Sequence, residues 1–226
     1  MIWTTSNIGI PYYRSDKMDS KVIIIIAAAV VAAACIGTAV FIMNNGGNSD
    51  TPVDPEPVFP DLNEKVILVY FSATETTAEV AEKIVDYLGC DEYRIEAEIP
   101  YTAEDLQRDV PGSRVNREHL DPTFRPAIAG DKIDLSGYST VILGFPIWYH
   151  QEPQIIDTFL DTYDLSGMNV APFCTSWSAG VANARINIAH AEPDANVIKG
   201  GQFPSGYEEQ EIYDWLDSVG FKKKTI

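Results

Sequence analysis

Six consecutive residues, Ser72-Ala73-Thr74-Glu75-Thr76-Thr77, carry four hydroxyls and no cation. Side chains of this kind suit an anion held by neutral donors, and a phosphate monoester is the natural occupant. The neighbouring sequence adds backbone donors. Val66 to Phe71 is an unbroken apolar run, too short and too β-branched for a helix, and it reads as a strand buried on both faces. After the hydroxyl-rich stretch, Ala81, Ile84, Val85 and Leu88 recur at helical spacing as one apolar face. A strand that ends in a turn opening a helix brings free N–H groups and the positive end of the helix dipole to one point. The plainer alternative is a helix cap in which Thr hydroxyls satisfy the orphan N–H groups.

Other chemistry is thin. The chain has neither G-x-x-x-x-G-K-[ST] nor G-x-G-x-x-G, which disfavours a P-loop nucleotide site and a nicotinamide Rossmann site. His119, His150 and His190 are scattered without metal-ligand spacing. Cys35, Cys90 and Cys174 form no framework, and a Cys90–Cys174 bridge is not expected. A receiver domain would need clustered Asp at the end of the first strand, where Ser72 and Thr74 stand instead.

Strands and helices alternate from residue 63 onward, the mark of a doubly wound α/β sheet. Further strands are expected at 92–99, 140–145, 169–174 and 196–198. Helices are expected around Ile156 to Tyr163, over 181–191, and after a capping box of Ser205 with Glu208. Five strands in the order 2-1-3-4-5 place the ligand at their carboxyl ends. Two more loops then meet the first: Pro146-Ile147-Trp148-Tyr149 running on to Pro153, and Thr175-Ser176-Trp177 running on to Gly180. Both carry aromatics just past a buried strand. They suit a flat, polarizable ring that needs faces to stack on and amides at its edge.

Together these loops resemble the flavodoxin family, over roughly residues 66 to 218. The family's first loop follows [ST]-x-T-G-x-T, matched in kind by Ser72, Thr74 and Thr77. Its second reads like P-x-W and its third like a T/S-S-G-x-S-G run. The resemblance implies a flavodoxin-like five-stranded parallel fold and non-covalent FMN. The phosphate would lie in the first loop, Trp148 or Tyr149 against one ring face, and Trp177 at the other face or the dimethylbenzene edge. Glu75 and Trp177 both stand at usual glycine positions, which bears on how tightly FMN is held and how its potential is tuned. His150 and Glu152 are expected near the ring, either relaying a proton or simply facing solvent.

The rest of the chain suggests where such a site would work. Residues 1–21 form a tail, with Met18 an alternative start. Residues 22–43 are apolar and uncharged; as a helix they span about 33 Å, enough for a bilayer core of roughly 30 Å. They read as a single-pass transmembrane anchor, with lipidation at Cys35 secondary. Arg14, Lys17 and Lys21 precede the run while Asp50, Asp54 and Glu56 follow it. Positive-inside logic therefore puts the globular domain, residues 63–226, outside the cytoplasm. Residues 44–62 form a Gly- then Pro-rich linker. The net charge of −17 excludes nucleic acid as a partner and suits a redox partner with a basic surface, or simply solubility. Residues 100–138 are long and polar for a connection, and Arg114, Arg117 and Arg125 within them either recognise an acidic substrate or pin the loop.

The functional expectation is a membrane-tethered, FMN-binding electron carrier. The alternatives are a flavin-less scaffold on the same fold and a small NAD(P)H-dependent flavin or quinone reductase.

Overall fold

The computed structural model describes residues 59–224. The expected anchor at 22–43 and most of the linker lie outside the described residues. Among those described, no helix is long and apolar enough to cross a membrane.

In chain order the elements are β1 (Val66–Phe71), α1 (Thr76–Leu88), β2 (Asp91–Ile95), α2 (Arg114–Leu120), β3 (Thr140–Pro146) and α3 (Gln154–Thr162). These are followed by β4 (Asn169–Thr175), α4 (Ala182–Ala191), β5 (Asn196–Val197), β6 (Gly201–Phe203) and α5 (Glu209–Val219). The strands are parallel in the order β2-β1-β3-β4-β5, with β6 also on β4. The doubly wound order expected from the sequence is the one observed.

Alternation along β1 divides the core in two. Ile67, Val69 and Phe71 face a layer built from Ile155, Ile156, Phe159, Ala184 and Ile188 of α3 and α4. Leu68 and Tyr70 face Val80, Ala81 and Ile84 of α1 and Ile212, Trp215 and Leu216 of α5. Both faces are dry because both carry helices, which is why the strands read as continuous apolar runs. Gly144 makes the β3–β4 contact possible: a Cβ there would sit 2.2 Å from the Phe173 ring.

Three expectations need correction. The second strand ends at Ile95, opposite Phe71 where β1 itself ends. Beyond it Glu98 N–H donates to Ala127 O and Ala129 N–H to Glu96 O, so residues 96–98 pair with the returning end of the 100–138 excursion. The capping box is not formed. Tyr207 N–H closes a turn on Pro204 O around Gly206 (φ 83°), and the helix starts later, with Glu208 as its N-cap residue. The sheet's last position is filled by two short strands, and β6 was not expected. At the break between them Gly200 and Gly201 lie against Val181 and Trp215, where a Cβ would meet side-chain atoms at 2.5 and 2.7 Å.

The excursion itself is ordered by its arginines. Arg114 donates to Glu118 and to Ile99 O, Arg117 to Gly112 O, and Arg125 to Asp161. All three serve to pin it, as the second of the two sequence readings proposed.

Candidate functional site

The mouth between β1 and α1 is shaped by one residue. Glu75 occupies the N-cap position with φ 64° and ψ −13°, the left-handed conformation that glycine adopts without penalty. Its carboxylate points to β2, where Arg94 grips it with two hydrogen bonds of 2.8 and 2.6 Å. Arg94 also donates to Ser72 O at 3.1 Å, which fastens the start of the loop to the same strand. The guanidinium holds the Glu75 carboxyl below the usual carboxylate range. The negative charge that stands in place of glycine is thus turned outward and paired.

With Glu75 held aside, the backbone N–H groups of Ala73 to Thr77 have no partner among the described residues. Ser72 is buried and its hydroxyl accepts the Ala78 N–H at 3.3 Å. The Thr77 hydroxyl is buried against that of Thr175, 2.8 Å away, which ties the first loop to the third. The hydroxyls of Thr74 and Thr76 remain on the open side. Half of the cluster therefore builds the loop and half, with the backbone, is left to meet an anion.

The second loop joins the third through Ile147 N–H to Thr175 O at 3.2 Å, next to the Pro146–Thr175 register pair. Trp148 and Gln151 exchange N–H···O=C bonds around Tyr149 (φ 49°) and His150 (φ 69°). Two successive non-glycine residues at positive φ make this a strained, tight reversal. Trp148 turns inward, its ring edge-to-face with Phe71 at 5.7 Å and with Tyr101 at 5.3 Å. Tyr149 stacks on His119 with centroids 4.1 Å apart, and its hydroxyl donates to Arg108 O. The third loop differs: Ser176 Oγ caps a turn by accepting the Ala179 N–H, while Trp177 is 80% exposed.

A cavity of about 190 Å³ lies where these parts meet, lined among others by Ala73, Thr74, Pro146, Ile147, Trp148 and Tyr149. Leu106, Arg108 and Val115 of the excursion close its far wall. Sequence reasoning missed that wall, as well as Arg94 and the two asparagines of α4. Asn183 donates to His150 O and Asn187 to the Glu152 carboxylate, four residues apart on one helical face. A counter-charge for Glu75 was the one available signal for Arg94. Glu152 is 3% exposed, so it does not face solvent.

Among the described residues no group of His, Cys, Asp or Glu could hold a metal ion. Cys90 and Cys174 are free thiols, pushed up by burial to about 11 and about 12.

A flavodoxin sequence profile matches residues 65–219, and the fold is similar to that of solved flavoproteins. The chain belongs to the flavodoxin family. A candidate flavoprotein from Bacteroides eggerthii is 38% identical, with 70% of this chain covering 99% of that one at a TM-score of 0.64. Another, from Bacteroides uniformis, is 35% identical over 68% of this chain and 97% of its own, at 0.65. A Lactobacillus acidophilus flavoprotein solved with FMN is 20% identical over 67% of this chain and 98% of its own, at 0.53, and shares the fold. No curated protein matches. Glu75, at a usual glycine position of the flavodoxin loop, has the left-handed conformation that glycine favours, and its carboxylate is bonded to Arg94.

Proposed function

We propose that this flavodoxin binds FMN without a covalent bond and carries electrons. In this reading the phosphate lies on the N–H groups of residues 73–77 and the hydroxyls of Thr74 and Thr76. The ring meets Pro146 to Tyr149, and Trp177 covers it from the third loop. The observation that supports this most is the outward pairing of Glu75 with Arg94, which turns that carboxylate away from the loop's donors. When bound, the flavin supplies the redox chemistry. The chain's own residues bind, orient and shield it, and the surrounding acidic surface makes added negative charge on the ring less favourable.

We further propose that residues 22–43 tether the domain to the cell membrane, with the domain outside the cytoplasm and a redox protein of basic surface as its partner. A flavin-less binding module is the second reading. It is favoured by the narrow ring cavity, which at about 190 Å³ is smaller than the roughly 300–1,000 Å³ of ordinary small-molecule sites. Tyr149 and Arg108, bonded to each other, both line it.

The domain purified from residue 59 onward is expected to be yellow and to release flavin on denaturation. Thr74→Ala with Thr77→Ala is expected to weaken FMN by about 2–3 kcal/mol, as hydrogen bonds to a charged group and the tie to Thr175 are lost. A colourless domain that takes up no FMN supports the scaffold reading, and unchanged affinity in the double variant removes the phosphate assignment.

A further inference from the structure

Behind the Trp148–Gln151 turn lies a void of about 10 Å³, lined by Glu118, His119, Tyr149, Glu152 and Gln154 among others. Two buried atoms on these residues, His119 Nδ1 and Gln154 Oε1, have no hydrogen-bond partner among the described residues. The Gln154 amide nitrogen is committed to Asp121 O at 2.6 Å, so the oxygen can only accept. Buried polar atoms are rarely left unpaired, and a polar-walled space of this size has room for about one water. A single water would donate to Gln154 Oε1 and to Glu152 while meeting His119 Nδ1.

Glu152 is the unusual member. Its side chain is buried without a cation, and one amide, Asn187 Nδ2, serves both carboxylate oxygens at 3.0 and 3.2 Å. The carboxyl is raised to about 7, chiefly by burial and a little by Asp157, against the lowering effect of its own backbone N–H and of Asn187. Of the other charged and titratable groups around it, Glu118 and Tyr149 have partners and Asp157 is itself raised by burial. Glu118 is bonded to Arg114 and to the Tyr101 hydroxyl, Asp157 has Arg125 and Asp161 near it, and Tyr149 is stacked on His119. His150 is exposed, with its carbonyl held by Asn183.

We propose that Glu152, joined through one buried water to His119 and Gln154, is the proton-binding residue of this site and takes up a proton as electrons enter a flavin held by the Trp148–Tyr149 loop. This rests on the FMN reading above. The external donor, such as dithionite in the test below, is oxidised and the flavin reduced. The proton comes from solvent and forms an O–H bond on a Glu152 oxygen, so the neutral acid offsets part of the added charge. Asn187 keeps the carboxylate available by favouring its ionised form.

The experiment uses the domain from residue 59 onward. The Bacteroides eggerthii structure, matched over 99% of its length by 70% of this chain, shows that such a domain folds alone. In the flavin-free domain, infrared spectra should show the carbonyl stretch of a buried carboxylic acid that disappears as pH rises through about 7, and Glu152→Gln should lack it. In the FMN-loaded domain, dithionite reduction in weak buffer with a pH dye should show extra proton uptake per flavin. The excess should peak near neutral pH and vanish in Glu152→Gln. Asn187→Ala, which removes the amide that favours the carboxylate, should move the peak to higher pH. Absence of the infrared band overturns the proposal without touching FMN binding. Equal proton uptake by the wild type and Glu152→Gln overturns it while the flavin reading stands. A domain that binds no FMN overturns both.

Discussion

The two ends of the candidate site are built in different ways. The phosphate end is mostly local: a strand, six residues and a helix, with one arginine from the adjacent strand and one hydroxyl tie, Thr77 to Thr175. The ring end is assembled from afar. Trp148 rests on Phe71 and Tyr101, Tyr149 on His119 and Arg108, and Asn183 and Asn187 of α4 hold the carbonyl of His150 and the carboxylate of Glu152. A local site follows from chain geometry and tolerates change around it. An assembled one depends on every element that touches it, and its backbone strain persists only while those elements stay packed.

The sharpest way to break this contrast is at the ring end. Phe71→Ala removes the fully packed ring under Trp148; it should cost about 3–5 kcal/mol in urea unfolding and loosen the second loop, seen as Trp148 fluorescence shifting to the red. A loss under about 1 kcal/mol would mean that Trp148 does not depend on that packing.

The next effect is a pH dependence. Glu152 is raised in the folded state from 4.5 to about 7 and Asp157 from 3.8 to about 6, both by burial. A carboxyl with a raised folded pKa binds more protons folded than unfolded. Stability is therefore present at low pH and lost as pH climbs from about 4.5 through 7. Glu152→Gln should flatten that decline and gain about 2–3 kcal/mol at pH 8. Parallel profiles for the two proteins would show that Glu152 does not carry it.

At the phosphate end the expected change is smaller. Arg94→Ala frees the Glu75 carboxylate beside the mouth. It should cost roughly 1 kcal/mol of stability, since the pair is largely exposed, while FMN affinity falls by about tenfold through repulsion. Glu75→Gly in the same background should restore the affinity, because it removes the charge and keeps the backbone conformation. If affinity stays low in the double variant, Arg94 acts on the phosphate by another route.

Legibility in the sequence followed the same division. The apolar run at 66–71, the hydroxyl stretch and the helical spacing after it are neighbours in the chain, so the strand–loop–helix unit could be read directly. The alternation of elements gave the doubly wound class, and the strand order came with the resemblance to the flavodoxin family. The ring end could be read only as loops with aromatics. That Trp148 packs inward rather than offering a free face depends on Tyr101, which lies in the excursion. That Glu152 is buried depends on α4, and nothing near residue 152 announces it. The shortening of the second strand and the failed capping box have the same cause: residues 127–129 and the turn at Pro204–Tyr207 compete for the backbone, and local preference does not reveal such competitors.

The central claim is that the first loop grips a phosphate. The direct measurement is a fluorescence titration of the flavin-free domain with FMN and, separately, with riboflavin, which has the same ring and no phosphate. FMN should bind at least about a hundredfold more tightly, the worth of one or two hydrogen bonds to a charged group. Equal affinities would contradict the claim.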